Sequence, residues 1–263
     1  IDITVAEEQR LQPESTGLKL MLDMLHRSRL QFPGMGLGFI KRLMDESITH
    51  CQNRLVGGAP LSNLDAVKYQ LSRIQAAYTI CSGMCSYSTA NSGIDKDLAS
   101  AAIEANTLKA LITDLMQESA QIALQLAGAN GYRLDHIAGR AVVDSRPFQI
   151  FEGSNEMLYG QIADAVLKLM RKAKETSFYN FLANYANTNE SVKYFRSQLD
   201  FTIDQSVSQR DAVTLGRIIA RVICFQFVLN MNGFNAELVE LTRQHMVTDI
   251  TMCVGQYLSQ NTA

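Results

Sequence analysis

Apolar and polar positions follow two different periods along this chain. Residues 1–12 alternate weakly, Ile1, Ile3 and Val5 against Asp2, Thr4 and Ala6, which predicts the end of a strand left over from a preceding β domain. From Gly17 the period becomes helical through Leu18, Met21, Leu22 and Leu25, and a break is expected at Phe32-Pro33-Gly34. A second helix, about residues 36–54, carries Leu37, Ile40, Leu43, Met44 and Ile48, and stops in a Gly57-Gly58-Ala59-Pro60 loop. Ser62, three residues before Asp65, offers a cap for a long helix reaching about residue 91. After Asn91-Ser92-Gly93 comes another long helix, about 97–127, with a stripe of Ile103, Leu108, Leu111, Ile112, Leu115, Ile122 and Leu126. Long neighbouring helices joined by a short connection imply an antiparallel pair, so residues 13–172 read as an all-α, up-and-down helix bundle.

The periodicity lapses over residues 128–153, where Gly128, Gly131, Gly139 and Pro147 interrupt it. A loop of that length is uncommon in a compact domain unless it has a task, so this stretch is the place to look for chemistry. From Ser154 the helical pattern returns through Met157, Ile162, Val166 and Leu169 and ends near Lys174. Residues 173–263 form a helical extension: short helices around 176–200, a start signal at Ser206 and Ser208, a helix to about 231, a break at Asn232-Gly233, and a last helix from about 235 to 258.

Composition narrows the function classes. The chain of 263 residues is 47% hydrophobic and 19% charged, with 4 prolines and 16 glycines, too few turn residues for a many-stranded sandwich. Its 24 basic and 26 acidic residues form no like-charge block, so no nucleic-acid partner is expected. The richest apolar stretch, residues 217–231, is broken by Arg221, which argues against a membrane span and leaves only a surface association of the tail as an option. Five cysteines, an odd number set in helical patterns, read as reduced thiols in a cytoplasmic protein. Cys81 and Cys85 share a helix face, but no further ligand accompanies them, so no metal site is expected.

Glu152 stands out on physical grounds. It lies between Phe148, Ile150 and Phe151 and a Gly-Ser-Asn turn at a helix start, a place to hold a half-buried carboxylate suited to proton abstraction. A simpler explanation is also available, since a helix N-terminus favours any negative charge.

The surrounding residues carry more information. Ile150-Phe151-Glu152-Gly153-Ser154-Asn155-Glu156 resembles the I-Y-E-G-T-N-E signature of the acyl-CoA dehydrogenase family, and upstream elements follow in the family's order. Gln125-Leu126-Ala127-Gly128-Ala129-Asn130-Gly131-Tyr132 is similar to its Q-x-x-G-G-x-G-Y, and Asp144-Ser145-Arg146 to part of its R-D-A-R. Asn53-Arg54-Leu55-Val56-Gly57-Gly58 stands where the family has T-R-x-x-F-G, and Gly17-Leu18-Lys19 with Arg29 resembles the opening of its C-terminal helical domain. The likeness covers about residues 1–170.

This resemblance implies a flavin enzyme that oxidises an acyl-CoA thioester across its Cα–Cβ bond. It assigns Glu152 as the base that removes the α-proton, and sets Gly153 and Arg29 along the thioester and the adenosine end of CoA. Some relatives take the base from the residue before the arginine; that residue here is Ser28, which cannot serve. The resemblance also implies FAD bound across a subunit boundary in a homodimer or homotetramer. Arg54 would meet a neighbour's pyrophosphate, Gln125 and Gly128 its adenosine end, and Ser154 and Glu156 the flavin of the base's own subunit. An electron-transferring flavoprotein would be the acceptor.

Three positions depart from the family pattern. Gly57 replaces a Phe, Ala129 replaces the second Gly, and Asp65 stands near a flavin-contacting Gln, and each is expected to weaken or reshape FAD binding. His26 offers a possible contact to a CoA phosphate, and His136 reads as a solvent-facing loop residue. Met21, Met24, Met35 and Met44 would line an acyl pocket or fill the core. Arg210, Arg217 and Arg221 read as a solvated or ion-paired stripe. The extension resembles that of the family's very-long-chain branch or its alkylation-response flavoproteins. The latter bind DNA, but residues 165–263 hold no basic cluster to support that task. A purely structural role as a helical oligomerisation module is the remaining alternative.

Overall fold

The computed structural model describes residues 2–203, 207–233 and 235–260. Ten helices dominate it: α1 (Gly17–Arg29), α2 (Phe32–Asn53), α3 (Asp65–Asn91), α4 (Ala102–Ala127), α5 (Ile137–Ser145), α6 (Asn155–Ala173), α7 (Phe178–Asn184), α8 (Arg196–Leu199), α9 (Gln209–Leu229) and α10 (Ala236–Gln260). Helices α2, α3, α4 and α6 build the expected all-α bundle, and one continuous core runs from Leu30 through it to Tyr257 on α10.

Several boundaries moved from their expected places. Residues 2–12 pair with no strand among the described residues; they are exposed and include only a short 3₁₀ turn at Glu7–Gln9. Ile1 lies outside the described residues, as does Ser206. Helix α2 begins at Phe32, so Pro33 starts the helix, where its missing N–H is not needed, and does not serve as a breaker beyond it. Gly36, inside that helix, meets α4: a Cβ there would lie 2.4 Å from Ile112 Cγ1. Ser62 sits in a 3₁₀ turn, and α3 starts at Asp65 without a side-chain cap. Gly57 (φ 61°) and Gly58 (φ 85°) close a two-residue hairpin between β1 (Leu55–Val56) and β2 (Ala59–Pro60), with both turn residues in the left-handed region.

The stretch 128–153 is mostly ordered into helical pieces: a 3₁₀ turn at Gly128–Tyr132, α5, and another 3₁₀ turn at Arg146–Gln149. Helix α5 is capped by His136, whose Nδ1 accepts from Ala138 N at 3.2 Å, so this histidine is half-buried and structural. Gly139 hides the helical pattern because close packing demands it: a Cβ would lie 2.4 Å from Arg133 O.

The extension is part of the bundle. Helix α9 packs chiefly along α6, and also against α3, α4 and α10. Glycine permits both close crossings: a Cβ on Gly216 would lie 1.9 Å from Tyr159 O, and one on Gly83 2.8 Å from Val228 N. Ser208 caps α9, with Oγ accepting from Asp211 N at 3.1 Å. Among the described residues α9 is long and apolar enough to cross a membrane, Arg221 notwithstanding, yet 78% of its most apolar window is buried inside the protein. Arg73 on α3 ties the layers together, bonded to Glu118 of α4 and, at 2.8 Å, to Asp249 of α10. Arg221 of α9 lies 3.7 Å from the same Asp249.

Candidate active site

Residues 150–154 cross from the 3₁₀ turn into α6, over the N-terminal half of α4 and the end of α1. The approach is pinned by an aromatic group: Phe151 lies 5.3 Å from Phe148 and 5.9 Å from Phe32, centroid to centroid. Glu152 then adopts φ 54°, a left-handed conformation that costs a non-glycine residue roughly 1–2 kcal/mol, and Gly153 follows at φ 99°. Such a turn persists only where its surroundings hold it.

Two buried cations hold it. Arg29, 4% exposed, donates from Nη2 to Glu152 O at 2.7 Å and from Nη1 to Asn106 Oδ1 at 2.5 Å. Lys109, fully buried, donates from Nζ to Gly153 O at 2.8 Å and to Asn155 Oδ1 at 2.9 Å. Burial pushes the Lys109 ammonium down to about 8; the nearby Arg29 charge acts in the same direction, and Asp114, Glu152 and Glu156 offset part of it. Burial also lowers Arg29, with Glu152 opposing. Asn155 returns its amide to Ala110 O, Thr113 Oγ1 and Asp114 Oδ1, and Tyr159 OH closes the network on Asp114 Oδ2 at 2.8 Å.

The carboxylate itself is held at one end. Ser28 Oγ donates to Glu152 Oε1 at 2.8 Å, while Oε2 is shielded from solvent and has no hydrogen-bond partner among the described residues. A buried, unpaired carboxylate oxygen is a strong acceptor waiting for a proton or donor. Ser154 takes the N-cap position of α6 with extended backbone, yet its hydroxyl makes no capping bond, so the first-turn amides remain available. Glu156 is exposed in that first turn, 3.9 Å from Arg217 of α9, whose guanidinium also lies 5.5 Å over the Tyr159 ring.

The expected site residues therefore fall into two groups. Glu152, Gly153, Ser154, Glu156 and Arg29 gather at the turn. Arg54, Gln125 and Gly128 line a separate cavity of about 550 Å³ near the other end of α4, together with His50 and Gln70. Lys109 and Gln125 mark the two places, about 24 Å apart along the helix. Arg54 and Gln125 are exposed, and their side chains form no hydrogen bond or ion pair among the described residues. Ala129 lines this cavity; Asp65 does not, and Gln70 stands on the wall instead.

Arg29 is placed otherwise than expected: its guanidinium is buried under the turn, bonded to the Glu152 carbonyl, and does not face a CoA adenosine. His26 is likewise buried, with Nδ1 2.7 Å from Leu98 O, and has no face for a phosphate. Of the four methionines, Met44 is in the core and Met21, Met24 and Met35 are exposed. Sequence reasoning missed Lys109 and Asn155, and gave Ser28 no role. A lysine inside the apolar stripe between Leu108 and Leu111 was the available signal.

A family model of the C-terminal domain of acyl-CoA dehydrogenases matches residues 15–167, more than half of the chain. The chain belongs to the acyl-CoA dehydrogenase family. It is 26% identical over 183 residues to the very long-chain specific acyl-CoA dehydrogenase of Mus musculus mitochondria, covering 69% of this chain and 27% of that protein. It is 25% identical over 174 residues to the short-chain specific enzyme of Bos taurus mitochondria, covering 65% of this chain and 40% of that protein. The chain thus spans well under half the length of these relatives. An acyl-CoA dehydrogenase from Bacillus anthracis, solved with FAD, shares the fold with a TM-score of 0.68 at 16% identity, over 92% of this chain and 50% of its own. The acyl-CoA dehydrogenase likeness in fold therefore extends well beyond residue 167, into the helices of the extension.

Proposed function

We propose that this chain is the C-terminal helical part of an FAD-dependent acyl-CoA dehydrogenase, in which Glu152 takes the α-proton of an acyl-CoA thioester. The observation that carries the reading is the Glu152 carboxylate, with Oε1 fixed by Ser28 and Oε2 buried and unbonded. The thioester acidifies its α-hydrogen, but not enough for water, so a positioned base must remove it. The α C–H bond breaks toward the Glu152 carboxylate, which becomes a carboxylic acid, and the bond from Ser28 to Oε1 keeps it from rotating away. Gly153 lies along the thioester.

The residues present fit a flavin nucleotide. Ser154 and Glu156, beside the free amides at the start of α6, would hold the flavin, and the cavity with Arg54, Gln125 and Gly128 would hold the pyrophosphate and adenosine of another subunit's FAD. FAD supplies the acceptor for the β-hydride. The 24 Å between the two groups supports a homodimer or homotetramer that shares its cofactor sites across the subunit boundary. An electron-transferring flavoprotein is the proposed acceptor, and the five free cysteines support a reducing, cytoplasmic setting.

The test uses the full-length flavoprotein. Acyl-CoA thioesters of several lengths should bleach the flavin absorbance, and Glu152→Gln should retain the flavin spectrum while bleaching slows by roughly 10²–10⁴-fold. Unchanged bleaching would remove Glu152 from the role of base.

A further inference from the structure

A lysine buried completely in the middle of an apolar helix stripe is an unfavourable choice for stability. Leu108, Leu111 and Ile112 around it are what the core calls for, and among the described residues Lys109 has no carboxylate in hydrogen-bond contact to balance its charge. Its place is also electrostatically awkward, since the ammonium lies against the N-terminal end of α6, where the helix dipole is positive, and feels the charge of Arg29, which Asp114, Glu152 and Glu156 offset only in part. A residue kept against these terms has a local task, and its bonds show which one.

The ammonium joins Gly153 O, the last carbonyl before Ser154, to Asn155 Oδ1 in the first turn of α6. Arg29 secures the preceding carbonyl, Glu152 O. Two consecutive carbonyls of a left-handed pair are thus each held by a separate cation, one from α1 and one from α4. The four-carbon stem of lysine reaches from the α4 backbone to the turn and leaves its ammonium free to make two bonds at once. Asn155 is itself locked by α4 through Ala110, Thr113 and Asp114, so Lys109 has a rigid second anchor.

We infer that Lys109 is a positioning residue for Glu152: by tying Gly153 O to Asn155 it holds the 152–153 turn in the single conformer that aims the carboxylate. This rests on the reading of Glu152 as the base, but the conformational part stands apart from it. Without Lys109 the pair relaxes toward ordinary right-handed or extended backbone, and the carboxylate swings with it.

Backbone NMR on the full-length flavoprotein, selectively labelled at residues 151–156, reads the conformer directly. Wild type should show one set of resonances for Glu152, Gly153 and Ser154. Lys109→Met should show exchange broadening or a second set confined to residues 151–156, with far-UV circular dichroism unchanged. Lys109→Gln, which keeps a shorter neutral donor, gives the same readout if Lys109→Met does not fold. In the full-length flavoprotein, kcat should fall about 100-fold with KM altered less than about threefold, the signature of a misplaced group and not of lost binding. An undisturbed single conformer at 152–154 in either folded variant would overturn the inference, whatever the activity. A disturbed turn together with normal turnover of Glu152→Gln would uphold the positioning and defeat the assignment of the base.

Discussion

Gly216→Ala measures how far the C-terminal extension is part of the bundle. A Cβ at that position would lie 1.9 Å from the Tyr159 carbonyl oxygen, 2.5 Å from its carbon and 2.8 Å from its Cα, against an ordinary contact of about 3.5 Å. Neither side can yield locally. Tyr159 is fully buried with its hydroxyl on Asp114, and the flanking residues of α9, Leu215, Ile218 and Ile219, are buried as well. The helices must part by roughly 1.5 Å, which loosens the whole α6–α9 face and should cost about 3–5 kcal/mol, above the usual range for an added methylene. With an unfolding entropy of about 0.55 kcal/mol/K for a chain of this length, Tm should fall by about 5–9 °C in calorimetry. Gly255→Ala on α10 is the matched control, because nothing lies within 4 Å of its Cβ, and it should gain up to about 1 kcal/mol from helix propensity. A Gly216→Ala Tm within about 2 °C of wild type would refute the close crossing.

Lys109 should also leave a signature in the pH dependence of stability. Its fall from 10.5 in the unfolded chain to about 8 in the fold means that both states are protonated below pH 8, where the native state carries the full penalty of roughly 3 kcal/mol. Between pH 8 and 10.5 the unfolded chain binds more protons, so this group's contribution to stability rises with pH; urea titrations of wild type should gain on Lys109→Met across that window, and parallel curves would contradict the buried charge. At the hairpin, restoring the family's aromatic residue by Gly57→Phe places a side chain in open space but at φ 61°, and should cost about 1–2 kcal/mol of stability, with Gly57→Asn costing less. Equal midpoints for the Phe and Asn variants would show that the backbone, not the lost aromatic face, is indifferent there.

What local sequence encodes was legible. The helical stripes of α1, α2, α4 and α6 follow from side chains three and four apart, which the chain carries whatever it packs against. The Glu152-Gly153-Ser154-Asn155 string was legible too, because its chemistry depends on adjacent residues. Errors arose where a residue type has more than one physical use. Pro33 reads as a stop and is a start, and Gly139 reads as a break although it serves a close contact inside a helix. His136 was read as a loop residue and caps α5.

Sequence by itself determined the helical class, the family, and the carboxylate at the centre of the proposed chemistry. Only tertiary structure decided what surrounds that carboxylate. Ser28 and Glu152 are 124 residues apart, and Lys109 and Gly153 are 44 apart, so no local pattern joins them. Arg29 carries a charge that sequence reads as ligand-facing, and burial turned it inward onto a carbonyl. The extension reads as an addendum because it follows the stretch that carries the family likeness, yet the fit of Gly216 against Tyr159 makes it part of the core beneath the site. Periodicity tells a helix which face to bury; only the packed chain tells it against what.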